Sequence, residues 1–274
     1  MEIYALEYIL NPQRSLNRLG MKPRKGVLLR NEVGGFCDYF PWEEFGDLSI
    51  DSFLTGIKAG NIPSFVKNSL LLELDNLPEF KFLNHSLFEA DSKCTCVKIK
   101  FFGDYQRLEN EMKKTEGKIR LDFNQGLEKN DFFSWLNELD EALIKKIDFI
   151  EDPYLNHEED FFRVPLAFDF NPAPSSKKIS VKVFKPCREA FDTRFAERTI
   201  YTNNMGHELN QIITYAYLAK NEQAHDDHHG ILMPKLYEGQ NDLFLADGDR
   251  YSLDIHRAKL LIEGLKGKPW QRLI

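Results

Sequence analysis

Six charged residues stand at or near the ends of short apolar segments. Lys98 and Lys100 lie in CVKIKFF, Asp122 in KIRLDFN, Glu151 in IDFIED, Asp169 in LAFDF and Lys185 in ISVKVFKP. Residues two apart on a strand share a face, so Lys98 goes with Lys100, Arg120 with Asp122 and Val183 with Lys185. Asn124 is placed to hydrogen-bond behind Asp122. Three carboxylates on rigid strands suit a hard, oxygen-preferring cation, Mg²⁺ with waters and substrate completing an octahedron. Lysines beside such a cation suit removal of a proton next to a carboxylate, because a metal stabilises the dianionic enediolate as its charge develops. The base must be neutral for part of the time. A second lysine two residues away and a nearby divalent cation both lower its pKa, and Lys98 and Lys100 have that relationship.

One such residue alone means little. An Asp or Asn just after a strand is ordinarily the N-cap of the next helix, and a Lys-x-Lys pair is ordinarily a solvated edge. The weight lies in the series, which runs Lys-Lys, Asp, Glu, Asp, Lys through consecutive units.

The elements that must position these groups are legible as a change of grammar near residue 80. Before it, Ile3–Leu10 reads as a strand and Lys25–Arg30 as its hairpin partner. Asn11–Arg24 is a polar, basic connection, Glu32–Gly35 a turn, and Ser49 and Pro63-Ser64 open helices, the second running on to Leu74. After it, short apolar segments recur at Phe82–Phe88, Cys96–Phe102, Lys118–Asn124, Ile147–Asp152, Leu166–Phe170 and Ile179–Pro186. A helical pattern at Phe132–Lys145 carries Phe133, Leu136, Leu139 and Leu143 on one face. Strands alternating with helices predict a parallel α/β sheet or barrel, whose active-site groups sit at the C-terminal strand ends. The predicted fold is therefore α/β: a modified (β/α) TIM-like barrel with shortened or missing helices, plus an α+β capping domain. The capping domain covers 1–90 with a C-terminal return at 255–274, and the barrel covers 91–254.

Composition narrows the partners. The 274 residues carry 36 Lys+Arg against 43 Asp+Glu, a net charge of −7, with no basic stripe interleaved with aromatics, so nucleic acid is not expected. A local lysine cluster still admits a small anionic substrate. The longest uncharged stretch, Leu209–Ala219, is far short of the roughly 20 residues that a membrane span needs. MEIYALEYIL lacks the basic start of a secretion signal. Cys37, Cys94, Cys96 and Cys187 have no zinc spacing and read as reduced thiols. A cytoplasmic protein without membrane or nucleic-acid partners is expected, and a monomer rather than an oligomer.

These residues resemble the enolase superfamily, its muconate-lactonising branch, and within it the o-succinylbenzoate synthases of menaquinone biosynthesis. Lys98-Ile99-Lys100 matches the family's Lys-x-Lys, and Arg120-Leu121-Asp122-Phe123-Asn124 its Arg-Leu-Asp-x-Asn. Glu151-Asp152-Pro153 matches Glu-x-Pro, Asp169 the Asp of the fifth strand, and Lys185-Pro186 the Lys-Pro that favours the synthase over its epimerase relatives. KGVLLR and GGFCDYFPWEEFGD stand where the family's capping domain has its strand and its Gly-x-Gly-Glu-x-x-Pro segment.

The resemblance implies Mg²⁺ held by Asp122, Glu151 and Asp169. It makes Lys100 the base that removes the α-proton of 2-succinyl-6-hydroxy-2,4-cyclohexadiene-1-carboxylate and then protonates the departing hydroxyl. Lys185 would stabilise the intermediate as a cation, with Lys98 beside the base. Arg120 would help to position the substrate, and the 11–24 loop would close over the site. The enzyme alternative on the same scaffold is a dipeptide epimerase or N-acylamino-acid racemase. The non-enzyme alternative is an inactive carboxylate-binding barrel, which predicts a disrupted ligand set.

Some segments depart from the family pattern. Tyr201–His207 replaces its Ser-rich stretch, and Asn203 and Asn204 are candidate donors to a succinyl carboxylate. The spacings Glu151 to Asp169 and Asp169 to Lys185 are short, and NPAPSSKK (171–178), with two prolines, cannot hold a full helix. His225-Asp226-Asp227-His228-His229 fits no tetrahedral zinc site and reads as a polar loop. Asp247-Gly248-Asp249 is similar to the Asp-x-Asp of dipeptide epimerases, and Asp249 inside the barrel would favour that activity. Trp42 and Trp135 read as packing residues.

Overall fold

The computed structural model describes residues 1–13, 22–87, 95–157, 163–169, 179–233 and 236–274. Strands β1 (Ile3–Leu10), β2 (Arg24–Asn31) and β3 (Phe36–Tyr39) form an antiparallel sheet. Between β2 and β3 the Asn31 side-chain oxygen accepts from Gly35 N–H at 2.7 Å and Val33 N–H at 3.2 Å, which fixes the turn. A Cβ on Gly35 would meet the Leu70 carbonyl oxygen at 1.8 Å, so only glycine lets these backbones approach. Helix α1 (Ile50–Lys58) begins where the Ser49 hydroxyl accepts from Ser52 N–H. With α2 (Ser64–Leu70) it buries Phe53, Ile57, Val66 and Leu70 against Val27, Leu29 and Tyr39. Each such burial contributes on the order of 1.5–3 kcal/mol. Helix α2 ends at Leu70 rather than Leu74, and Leu74–Asn76 is a separate 3₁₀ turn.

The second half begins with β4 (Phe82–Asn84) and β5 (Ser86–Leu87), followed by β6 (Cys96–Lys100), α3 (Tyr105–Lys114), β7 (Lys118–Asp122), α4 (Lys129–Glu138), α5 (Glu141–Ile144) and β8 (Ile147–Glu151). It continues through β9 (Leu166–Phe168), β10 (Ile179–Phe184), β11 (Ala196–Tyr201), α6 (Leu209–Ala219) and β12 (His228–His229). The chain closes with β13 (Phe244–Asp247), β14 (Arg250–Leu253), α7 (Ile255–Lys266) and β15 (Gln271–Arg272). β15 returns to the first sheet and pairs with β1.

Strands β5 to β11 make a seven-stranded parallel sheet in sequence order. Short contacts then join its two edges. Gly230 N–H donates to Tyr201 O at 2.9 Å and Asn203 N–H to Gly230 O at 3.0 Å, which attaches β12 beyond β11. β12 pairs in parallel with β4, and β4 runs through His85 directly into β5. Backbone bonds therefore run around the whole ring, as in a (β/α) barrel.

Alternation along the strands sorts side chains to two sides. Phe149, Ala167, Val181, Val183 and Ile200 form an apolar cluster inside the ring. Ile119, Leu121 and Ile150 face outward onto Leu108, Met112, Phe132, Trp135 and Leu136 of α3 and α4. Helix α6 is apolar almost all round and is buried accordingly, with Leu209, Ile212, Ile213 and Leu218 packed among Leu28 and Phe36 of the first sheet and Ile262 of α7.

Three further expectations need correction. Phe132–Lys145 is two helices, because Leu139 is extended and the Asp140 carboxylate caps a new start by accepting from Ala142 N–H at 2.7 Å. Phe82–Phe88 is divided at His85 between two sheets, and Phe88 itself lies outside the described residues. The supposed polar loop at 225–229 holds β12, in which His229 is fully buried: its Nδ1 accepts from Tyr201 N–H and its Nε2 donates to Ala224 O. The barrel helices are reduced as expected. Among the described residues no helix joins β8 to β9, and only a 3₁₀ turn (Thr193–Phe195) joins β10 to β11. Residues 171–178 and Cys94 lie outside the described residues. Among those described, no helix is long and apolar enough to cross a membrane.

Candidate active site

Four strands of the ring send side chains from their C-terminal ends to one cavity. Lys98 and Lys100 come from β6, Asp122 from β7, Asp169 and Lys185 from just beyond β9 and β10, and all five line it. Trp42 and Phe45 cover it from the capping side, and Asn203, Asn204 and Met205 form the wall after β11. The cavity encloses about 610 Å³ of empty space, open solvent included.

The charges are tightly paired. Lys98 Nζ lies 2.9 Å from Asp122 Oδ2 and 2.7 Å from Glu151 Oε2, whereas Lys100 Nζ stands 3.8 Å from Asp122. Lys185 Nζ bonds Asp169 Oδ2, and Lys182 Nζ donates to the Asp169 carbonyl at 3.2 Å. Glu151 does not line the cavity and is reached through Lys98. Burial works against the Lys98 ammonium, but Asp122, Glu151 and Asp169 outweigh it and hold its pKa above the ordinary lysine range. For Lys100 burial wins: helped by Lys98 and Lys185, and opposed by Asp122 and Glu151, it pulls the pKa down. The two lysines on one strand face are thus shifted in opposite directions, Lys98 up and Lys100 down.

The carboxylates fit a hard divalent cation by donor chemistry. Asp122, Glu151 and Asp169 are all less than 5% exposed, and among the described residues nothing hydrogen-bonds the buried Asp169 Oδ1. Among the described residues they do not form a ready-made cage, because Lys98 and Lys185 sit against these carboxylates and balance their charge. Asp122, Glu151 and Asp169 would hold the cation.

Other expected residues are placed differently. Asn124 adopts a left-handed backbone (φ 47°); its backbone N–H, not its side chain, bonds Asp122 Oδ1 at 3.2 Å, while the residue itself lines the cavity. Arg120 points inward but lies on the barrel floor rather than the cavity wall. It is 0% exposed, its Nε donates to Asp148 at 2.8 Å, and its Nη1 donates to His85 Nδ1 and to the His228 carbonyl. Asn203 Nδ2 is already donated to Gly230 O and Ile231 O, and Asn204 Nδ2 donates to Phe40 O, so these amides tie the wall together before any substrate arrives. Trp42 packs as expected, against Phe40 and under the Arg24 guanidinium at 4.0 Å, but it also lines the cavity. Trp135 is core. Asp249 lies on the exposed turn between β13 and β14 and does not line the cavity. Of the 11–24 loop, residues 14–21 lie outside the described residues; Gln13 N–H donates to Leu236 O at 2.8 Å, at the cavity rim.

Sequence reasoning missed His85, a lone histidine inside an apolar segment. Its only sequence signal was its position near the end of the first barrel strand.

Comparison with known proteins bears on the fold. Residues 3–76 match the family "O-succinylbenzoate synthase, N-terminal domain". A crystal structure of an enolase family member from Agrobacterium tumefaciens, with homology to dipeptide epimerases and L-Ala-L-Glu bound, superposes with a TM-score of 0.66 at 12% identity, covering 94% of this chain and 99% of that one. The fold is that of the enolase superfamily. An o-succinylbenzoate synthase of Bdellovibrio bacteriovorus is 23% identical over 291 residues, covering 88% of each chain, so this enolase-fold chain is its distant homologue. The o-succinylbenzoate synthase of Thermosynechococcus elongatus, solved with Mg in its active site, shares the fold at TM-score 0.59 and 13% identity, covering 96% of this chain and all of that one.

Proposed function

We propose that the chain is a Mg²⁺-dependent carbon-oxygen lyase that dehydrates 2-succinyl-6-hydroxy-2,4-cyclohexadiene-1-carboxylate to o-succinylbenzoate, acting in the cytoplasm in menaquinone biosynthesis. The observation that carries this reading is the pairing of a synthase-type capping segment at 3–76 with two lysines, Lys100 and Lys185, on one cavity beside Asp122 and Asp169. Lys100, whose proton is loosened by burial and by its lysine neighbours, takes the α-proton. The resulting ammonium returns that proton to the departing hydroxyl, which leaves as water while the ring becomes aromatic. Lys98, held as an ammonium by Asp122 and Glu151, keeps positive charge beside the base. Lys185 presents a second cation from β10's end. Asp122, Glu151 and Asp169 would hold Mg²⁺, which when bound would supply positive charge to stabilise the developing enediolate.

Dipeptide epimerisation is the second reading, supported by the fold relative that binds L-Ala-L-Glu. Asp249, exposed and off the cavity, weighs against it. The test is direct: purified protein with Mg²⁺ is given the cyclohexadiene substrate and, separately, L-Ala-L-Glu. Aromatic absorbance should grow in the first and the dipeptide should keep its configuration in the second. Epimerisation without dehydration would reverse the assignment.

A further inference from the structure

His85 stands where the barrel ring closes, between β4 and β5. Its backbone is held on both sides, N–H to His229 O at 2.8 Å and C=O from Asn84 Nδ2 at 2.6 Å. The residue is 4% exposed and lines the cavity together with Lys98, Lys100 and Lys185. Below it, Arg120 Nη1 reaches His85 Nδ1 at 3.2 Å. A guanidinium only donates. Nδ1 must therefore accept, and the ring proton belongs on Nε2. Among the described residues no group hydrogen-bonds Nε2. Opposite it is Gly230, where a Cβ would come within 2.8 Å of Nε2 and 2.7 Å of Cε1. Any other residue at 230 would crowd the ring.

From these contacts the geometry points to His85 as a positioning residue whose Nε2–H, fixed in that tautomer by Arg120, donates a neutral hydrogen bond to a carboxylate oxygen of the substrate. This inference rests on the proposed synthase reading. It gives Arg120 an indirect part, since the arginine acts through the imidazole. It also divides the cavity chemically: the lysines bring charge, Lys100 among them the proton carrier, and the imidazole brings a neutral donor. Burial, Arg120 and Lys98 all disfavour the imidazolium, so the ring stays neutral and cannot compete with Lys100 as an acid.

Two measurements on the intact enzyme test it. The first replaces His85 by Leu, which removes both ring nitrogens, and by Gln, whose Oε1 can accept from Arg120 while its Nε2 donates to the cavity. His85→Leu should raise KM for the cyclohexadiene substrate roughly tenfold or more, the effect of losing a hydrogen bond to a charged group, with most of the loss in KM rather than kcat. His85→Gln should recover most of that loss. The second records long-range ¹H–¹⁵N spectra of histidine-labelled protein. The His85 signal, assigned by its disappearance in His85→Gln, should show the proton on Nε2 and should shift when o-succinylbenzoate and Mg²⁺ are added. A proton on Nδ1, an unmoved KM in His85→Leu, or a Gln variant as poor as the Leu variant overturns the inference while leaving the synthase reading intact. A wild type that does not dehydrate the substrate overturns both.

Discussion

Lys98 Nζ lies 2.8 and 2.7 Å from the two carboxylate oxygens of Glu151, reaching from β6 past the intervening strand β7. The same ammonium is 2.9 Å from Asp122 of β7. One cation therefore balances two carboxylates on neighbouring strands, all of them buried.

Removing that cation should be expensive. Lys98→Met leaves Glu151 buried without Lys98 and Asp122 with only Lys100 at 3.8 Å, and breaking a buried pair from one side costs about 3–5 kcal/mol. A loss of that order is expected in urea unfolding in metal-free buffer, with part of it recovered at saturating Mg²⁺ because ligand binding favours the folded state. An unchanged midpoint would show that Lys98 does not hold the carboxylates.

The metal assignment has its own check. Among the described residues no group hydrogen-bonds the buried Asp169 Oδ1, as for an acceptor that a cation would use. Asp169→Asn should weaken Mg²⁺ binding by roughly tenfold or more, since a neutral amide replaces a charged oxygen ligand. Calorimetric titration of wild type and variant with Mg²⁺ reads this directly. Equal affinities would remove Asp169 from the ligand set.

Stability should also depend on pH through Asp38, which joins the capping sheet to α6. Asp38 is 0% exposed and accepts from Tyr8 Oη at 2.6 Å, His207 N–H at 3.0 Å and Asn210 Nδ2 at 3.1 Å. Burial outweighs these bonds and pushes its carboxyl up from 3.8 to about 6. The folded state thus binds the proton more tightly than the unfolded chain does. The contribution of Asp38 is fully present below about pH 4 and is lost as pH rises through about 6. The difference in unfolding free energy between wild type and Asp38→Asn should shift by about 2–3 kcal/mol across that window. A difference that stays flat from pH 4 to 7 would contradict the burial account.

The strand ends were readable in the sequence because a period of two leaves a plain mark. In KIRLD, Ile119 and Leu121 turn outward to the helices while Arg120 and Asp122 turn inward; in IDFIE the register shifts, so Ile147 and Ile150, three apart, both face the helices while Phe149 faces inward. Depth along the strand was not readable. Arg120 and Asp122 share a face, yet two residues of rise place one on the barrel floor against Asp148 and the other at the cavity. The two-residue strand β12 carries no alternation at all, so His228 and His229 looked like a polar loop. The donors of Asn203 and Asn204 go to carbonyls of Gly230, Ile231 and Phe40, partners far away in the chain that no local pattern reveals. His85 acquires its meaning only from Arg120 and Gly230, which the fold brings to it.

We propose that Lys100, whose pKa is pulled down, moves the proton, and that Lys98, whose pKa is raised, stays an ammonium. The most direct test of this claim is turnover of the cyclohexadiene substrate by Lys100→Ala beside wild type, at saturating Mg²⁺, with circular dichroism confirming that both are folded. Loss of a general acid–base group costs on the order of 10²–10⁴ in rate, and the expected result is a drop of at least 10³ with an unchanged fold. Full activity in Lys100→Ala would contradict the account.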